Sequence, residues 1–159
     1  MSFNFKWNKR FLRLAKEIAS WSKDPSSQVG CVIVGPKKEI RSTGYNGFAR
    51  GIEDRLERLK DRKQKYPRII HAEMNAVITA SYIGTCLDGC TAFITLPPCT
   101  PCASALINAG IVSIIIPEVE IPDRWKEDMA MAVGDLAEAG VHVAIQKEKS
   151  IYRVAGTWG

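Results

Sequence analysis

Four short stretches of this chain are apolar almost from end to end. Val29 to Val34 reads Val-Gly-Cys-Val-Ile-Val, Thr91 to Leu96 reads Thr-Ala-Phe-Ile-Thr-Leu, Ile111 to Ile116 reads Ile-Val-Ser-Ile-Ile-Ile, and Val141 to Ile145 reads Val-His-Val-Ala-Ile. Each is too short to be a helix and rich in β-branched residues. Each also lacks the regular polar alternation of a strand with one wet face. Strands covered on both sides are therefore expected. A fifth strand, Glu39 to Tyr45, can return antiparallel to the first across the turn Gly35-Pro36-Lys37-Lys38.

The segments between them carry helical spacing. Trp7, Phe11, Leu14, Ala15 and Ile18 form one apolar stripe over residues 7–21. Residues 71–82 are rich in Ala and Met and read as a buried helix. Residues 102–109 and 124–139 read as helices stopped by Gly110 and Gly140. Residues 54–65 alternate charge sign around Leu56 and Leu59, which predicts a short, mostly solvated helix. Asn46-Gly47 could close a hairpin, but the residues after it do not alternate, so a loop leaving the end of a strand fits better. Helices alternating with continuous apolar strands predict a three-layer α/β/α fold with a five-stranded mixed sheet. Residues 147–159 read as a surface tail, pinned by Tyr152 or Trp158.

At 159 residues the chain has the length of one domain, 1–159, with enough residues to bury a core without staples. With 46% apolar and 25% charged residues it has the composition of a soluble globular protein, which excludes disorder, collagen and coiled coil. No apolar run reaches membrane-spanning length, and no apolar segment follows the first charges as in a secretory signal. A reducing cytoplasm is the expected compartment, where five cysteines serve as thiols or metal ligands. The net charge of +5 is unevenly divided. Residues 1–68 carry 17 basic and 7 acidic side chains, residues 69–159 carry 5 and 10. Such a split suits two differently solvated faces, an anionic substrate or a nucleic acid, and does not choose among them.

The chemistry is concentrated in two helix starts. His71-Ala72-Glu73 opens one helix and Pro98-Cys99-Thr100-Pro101-Cys102 opens the next. Two cysteines three apart at a helix N-terminus present both sulfurs on one face, where free N–H groups favour the thiolate. With His71 they make three protein ligands, and three ligands with an open fourth position is the arrangement of a catalytic zinc site. Glu73, two residues on, would lie beside such an ion and move protons for the reacting water. His-x-Glu followed by Pro-Cys-x-x-Cys is the general signature of zinc nucleobase deaminases.

On these motifs, together with Ser22 to Gly30, Gly44-Tyr45-Asn46-Gly47-Phe48 and Lys65 to His71, the chain resembles the deoxycytidylate (dCMP) deaminases of the cytidine deaminase-like superfamily. The resemblance implies one zinc ion on His71, Cys99 and Cys102, Glu73 as proton shuttle, and Asn46 as a substrate contact. Ala72 and Tyr66 complete the expected substrate contacts. It implies hydrolysis of dCMP to dUMP and ammonia, feeding thymidylate synthesis. A homo-oligomer, commonly a hexamer, and dCTP or dTTP effectors are also implied. A tRNA adenosine or another cytosine nucleotide is the alternative substrate; for the tRNA, the run 50–68 interleaves acids with bases and makes a poor strip for nucleic acid. Ala49 stands where relatives often have proline, which bears on the substrate loop. Arg50, Arg55 and Arg68 bracket Asn46 and His71 and are candidates for a substrate phosphate. Trp125, at helical spacing with Met129 and Val133, reads as core, with a place near the substrate phosphate as the alternative that the resemblance implies, and Cys31 reads as a small core residue.

Overall fold

The structure, a computed structural model, describes residues 4–154. Its elements in chain order are α1 (Phe5–Ala19), β1 (Gly30–Val34), β2 (Ile40–Tyr45), α2 (Leu56–Lys60), α3 (Arg62–Lys65) and α4 (Ala72–Ile83). β3 (Thr91–Ile94), α5 (Thr100–Asn108), β4 (Ser113–Pro117), α6 (Asp123–Glu138), β5 (His142–Gln146) and β6 (Ile151–Val154) follow.

The strands form one mixed sheet in the order β2-β1-β3-β4-β5-β6. β1 pairs antiparallel with both β2 and β3, while β3, β4 and β5 run parallel and are joined by helical crossovers. Alternate side chains of the central strands serve two cores. Cys31, Ile33, Ala92, Ile94, Ile114, Ile116 and Val143 pack with α4, α5 and α6 on one face. Val32, Val34, Phe93, Ile115 and Ala144 pack under α1 on the other, where Phe11 and Phe93 have ring centroids 5.0 Å apart. The three layers expected from the apolar runs are present, and Cys31 is fully buried in the core as expected.

Three boundaries differ from the sequence reading. The sheet has six strands, not five, because Ile151–Val154 pairs antiparallel with β5 inside what read as a tail. The charged residues Lys147 to Ser150 form its turn, with Lys147 N–H donating to the Ser150 carbonyl at 2.8 Å. Trp158 lies outside the described residues. The solvated helix over 54–65 is two short helices, because Asp61 is extended (φ −85°, ψ 111°) and its side chain accepts from the Lys63 amide. An aspartate that bonds its own backbone competes with helix continuation and caps a new start instead. α5 begins at Thr100, two residues earlier than the spacing indicated, with Cys99 as its N-cap.

Two close approaches fix the layers. A Cβ on Gly30 would stand 1.9 Å from the Ala15 carbonyl of α1, and one on Gly44 would stand 2.2 Å from the Ala72 carbonyl of α4. Only glycine lets α4 press so closely on β2, and the first turn of α4 carries the candidate chemistry. No helix among the described residues is long and apolar enough to cross a membrane.

Candidate active site

The starts of α4 and α5 meet at the same edge of the sheet. His71 is the N-cap of α4 with extended backbone (φ −70°, ψ 157°), and its side chain makes no cap hydrogen bond. Its imidazole is therefore free to turn toward α5. His71 Nδ1 lies 3.3 Å from Cys99 Sγ and 3.5 Å from Cys102 Sγ. The three ligand atoms fall within 4.8 Å of one another.

Those distances fit a metal. A tetrahedral zinc with Zn–S near 2.3 Å and Zn–N near 2.0 Å needs nitrogen and sulfur about 3.5 Å apart. The donor set, one imidazole and two thiols, has the borderline-soft character zinc favours. A hydrogen bond with Cys102 and another with His71 hold the Cys99 thiol down to about 4, although burial opposes them. The bond to Cys99, burial and the nearby Glu73 push the Cys102 thiol upward. His71 is raised above its ordinary value, first by its bond to Cys99.

Glu73 is the second residue of α4 and is only 4% exposed. Burial pushes its carboxyl up to about 7, against the pull of its own amide, the His71 charge and a hydrogen bond with Cys102. A carboxyl buried against a donor set of this kind can both take and return a proton.

A cleft of about 730 Å³ opens over these residues, lined among others by Asn46, Tyr66, His71, Ala72, Glu73 and Cys99. Of the residues expected as metal ligands, proton shuttle and base or sugar contacts, all but Cys102 line it, and Cys102 is buried beside them with His71 and Cys99. Asn46 follows β2 and is 5% exposed. Its Oδ1 accepts the Val29 N–H at 2.8 Å and its Nδ2 donates to the Ser27 carbonyl at 2.8 Å. That leaves one N–H and one lone pair of the amide, at a residue that lines the cleft, without a partner among the described residues. Gly47 then bridges to Ile70 instead of starting a hairpin, so the Asn46 loop is tied directly to the residue before His71.

A further part of the lining was not assigned to the site from the sequence, apart from the alternative placement of Trp125. α6 contributes Arg124, Trp125, Asp128 and Met129. Trp125 is half-buried on the cleft, not in the core, whereas Met129 both lines the cleft and is buried. Arg50, Arg55 and Arg68 do not line the cleft: Arg50 sits over the Tyr82 ring, Arg55 pairs with Glu53, and Arg68 donates to the Gln64 carbonyl. The cations that do line it are Lys60, Arg62, Lys65 and Arg124. Of these Lys65 is buried and committed, its Nζ 3.1 Å from Asp24 Oδ2 and 2.6 Å from Ser26 Oγ. Helical spacing along α6 shows which residues share a face, but not that this face crosses the start of α5.

A buried glutamate beside a His/Cys/Cys donor set, on the carboxyl edge of a mixed sheet, defines the class of zinc-dependent deaminases. The family model described as the cytidine and deoxycytidylate deaminase zinc-binding region matches residues 5–118, and the chain belongs to that family. An uncharacterized deaminase from the luxG 3′ region of Aliivibrio fischeri is 39% identical over 140 residues, which are 87% of this chain and 92% of that protein. Deoxycytidylate deaminase of Mus musculus is 39% identical over 136 residues, 82% of this chain and 75% of its own. Among solved structures, dCMP deaminase of cyanophage S-TIM5 in complex with dCMP and dUMP has a TM-score of 0.72 at 24% identity. It covers 91% of this chain and 98% of its own, and this likeness bears on the fold.

Proposed function

We propose that this chain, read as one domain over 1–159, hydrolyses dCMP to dUMP and ammonia in its α4–α5 cleft. The observation that carries the reading is the placement of buried Glu73 beside His71, Cys99 and Cys102 at the floor of a cleft whose lining includes Lys60, Arg62 and Arg124. The naming of relatives such as the mouse protein as deoxycytidylate deaminase supports the same substrate.

His71, Cys99 and Cys102 would hold one zinc ion, which supplies a water acidic enough to attack at neutral pH. Asn46 and Ala72 hold the nucleoside against the floor. Glu73 accepts a proton from the attacking water and delivers it to N3 of the cytosine ring as oxygen bonds to C4. It then carries the remaining hydroxyl proton to the exocyclic nitrogen. The C4–N bond breaks, ammonia leaves, and the C4 oxygen stays as the uracil carbonyl. Water and dCMP are consumed, dUMP and ammonia formed.

The phosphate lies against Arg62, Arg124 and Lys60, which are exposed and line the cleft. Guanidinium forks match phosphate oxygens in pairs, and among the described residues neither arginine is held in an ion pair. Lys65 is spent on Asp24 and Ser26 and fixes the loop that in turn holds Asn46. Tyr66 and Trp125 line the same cleft and flank the nucleotide.

The same reading includes a homo-oligomer, a hexamer by family resemblance, with dCTP and dTTP as effectors and a cytoplasmic setting in which Cys99 and Cys102 hold the metal and Cys31, Cys86 and Cys90 stay as thiols. Exposed Ile78, Tyr82 and Ile83 along α4 are consistent with a face covered by another copy. The test of the reaction is product identity. Protein incubated with dCMP should yield dUMP and ammonia in equal amounts; unreacted dCMP in the presence of zinc would overturn the substrate assignment.

A further inference from the structure

α5 presents an unusual N-terminus. Its N-cap is Cys99, whose side chain makes no cap hydrogen bond, and Pro101 has no N–H to offer. Thr100 is the first residue of the helix, so its amide has no partner within the helix itself. A carboxylate from a different helix takes it. Thr100 N–H donates to Asp128 Oδ2 of α6 at 3.0 Å, and the Thr100 hydroxyl lies 2.8 Å from Asp128 Oδ1. The Asp128 carbonyl, 3.2 Å from the same hydroxyl, gives it a second acceptor.

This is a helix cap supplied in trans, and it grips the residue between the two sulfur donors. A carboxylate at a helix start complements the helix dipole, and its fork removes two degrees of freedom from the Cys99-Thr100-Pro101-Cys102 turn. Arg124 and Trp125 stand four and three positions before Asp128 on α6 and line the same cleft. One contact therefore sets the α5 donors and the α6 substrate wall relative to each other.

We infer that Asp128 is a positioning residue for the metal centre, acting through Thr100 to hold Cys99 and Cys102 in ligating geometry. The inference rests on the reading of His71, Cys99 and Cys102 as zinc ligands. Groups that orient a ligand loop typically govern metal affinity by about 10- to 100-fold.

The experiment measures zinc dissociation constants by chelator competition, and the thiolate-to-metal absorption of the cobalt-substituted protein, for wild type and four variants. Asp128→Ala should weaken zinc tenfold or more and alter the cobalt spectrum. Asp128→Asn, which keeps an oxygen for the Thr100 amide, should recover most of the loss. Thr100→Pro deletes both donors at once. It suits the backbone, since position 100 opens a helix and Cys99 already has the φ of −76° and ψ of 166° that a following proline requires. It should match Asp128→Ala, and the double variant should lose no more than either alone. Wild-type affinity and spectrum in Asp128→Ala, or fully additive losses in the double variant, would overturn the role of Asp128. Failure of the wild-type protein to bind zinc at all would instead overturn the metal assignment beneath it.

Discussion

Gly44 of β2 and Ala72 of α4 are in closer contact than any side chain allows: a Cβ on Gly44 would stand 2.2 Å from the Ala72 carbonyl and 2.4 Å from the Ala76 amide. Both opposing atoms are backbone, so neither can swing aside. Gly44→Ala must push the first turns of α4 away from the sheet, and His71 and Glu73 go with it. Overpacking of this kind costs about 1–3 kcal/mol or more. The melting temperature should fall and zinc affinity should weaken together; an unshifted melt with normal metal content would show that α4 is not seated by this contact.

Glu73→Gln tests the proton shuttle. The amide is close in size to the acid and leaves His71, Cys99 and Cys102 in place, so zinc should stay stoichiometric. Turnover should drop by about 10²- to 10⁴-fold, the usual worth of a positioned acid–base group. Near-full activity would assign proton transfer elsewhere.

Cys99→Ser tests the ligands. A serine hydroxyl is a poor substitute for a thiolate at neutral pH. Metal content and activity should fall together, and unchanged zinc in this variant would mean that the ion, if bound, sits on other residues.

Arg124→Ala and Arg62→Ala test the phosphate end of the cleft. Each should raise KM for dCMP by tenfold or more while leaving any slow turnover of deoxycytidine unchanged, because only the nucleotide carries the charge they meet. Equal effects on nucleotide and nucleoside would remove the phosphate from this wall.

The Asp24–Lys65 pair gives a pH dependence. Burial raises the Asp24 carboxyl, but the Ser26 amide and hydroxyl and the Lys65 ammonium outweigh it and hold the group below its ordinary value. A carboxyl depressed in the folded state adds stability above its unfolded pKa of about 4, and that stability is lost as pH falls through the folded pKa. Wild type should therefore exceed Asp24→Asn in chemical denaturation at pH 6–7, with the gap closing below about pH 4. A gap independent of pH would mean the pair is not ionised in the folded protein.

The layered fold and the grouping of His71, Cys99 and Cys102 were legible in the sequence for a local reason. Continuous apolar runs mark strands covered on both sides, and His71-Ala72-Glu73 and Cys99 to Cys102 each place their donors within a single helix turn. β6 was hidden because its four residues follow the charged turn Lys147 to Ser150 and carry no apolar run of their own. Arg124, Trp125 and Asp128 lie on an amphipathic helix whose pattern equally fits an ordinary core-facing stripe. Only the passage of α6 across the start of α5 gives them the cleft. Arg50, Arg55 and Arg68 misled because nearness in sequence to Asn46 and His71 is not nearness to the cleft.

The central claim is that this cleft deaminates a free cytosine nucleotide with a bound zinc and selects it by its phosphate. Ammonia release from dCMP, deoxycytidine and dCTP, measured side by side with and without a zinc chelator, tests it most directly. The account expects chelator-sensitive release from dCMP, with deoxycytidine and dCTP far slower. Equal rates on dCMP and deoxycytidine, or release from dCMP that survives complete removal of zinc, would contradict it.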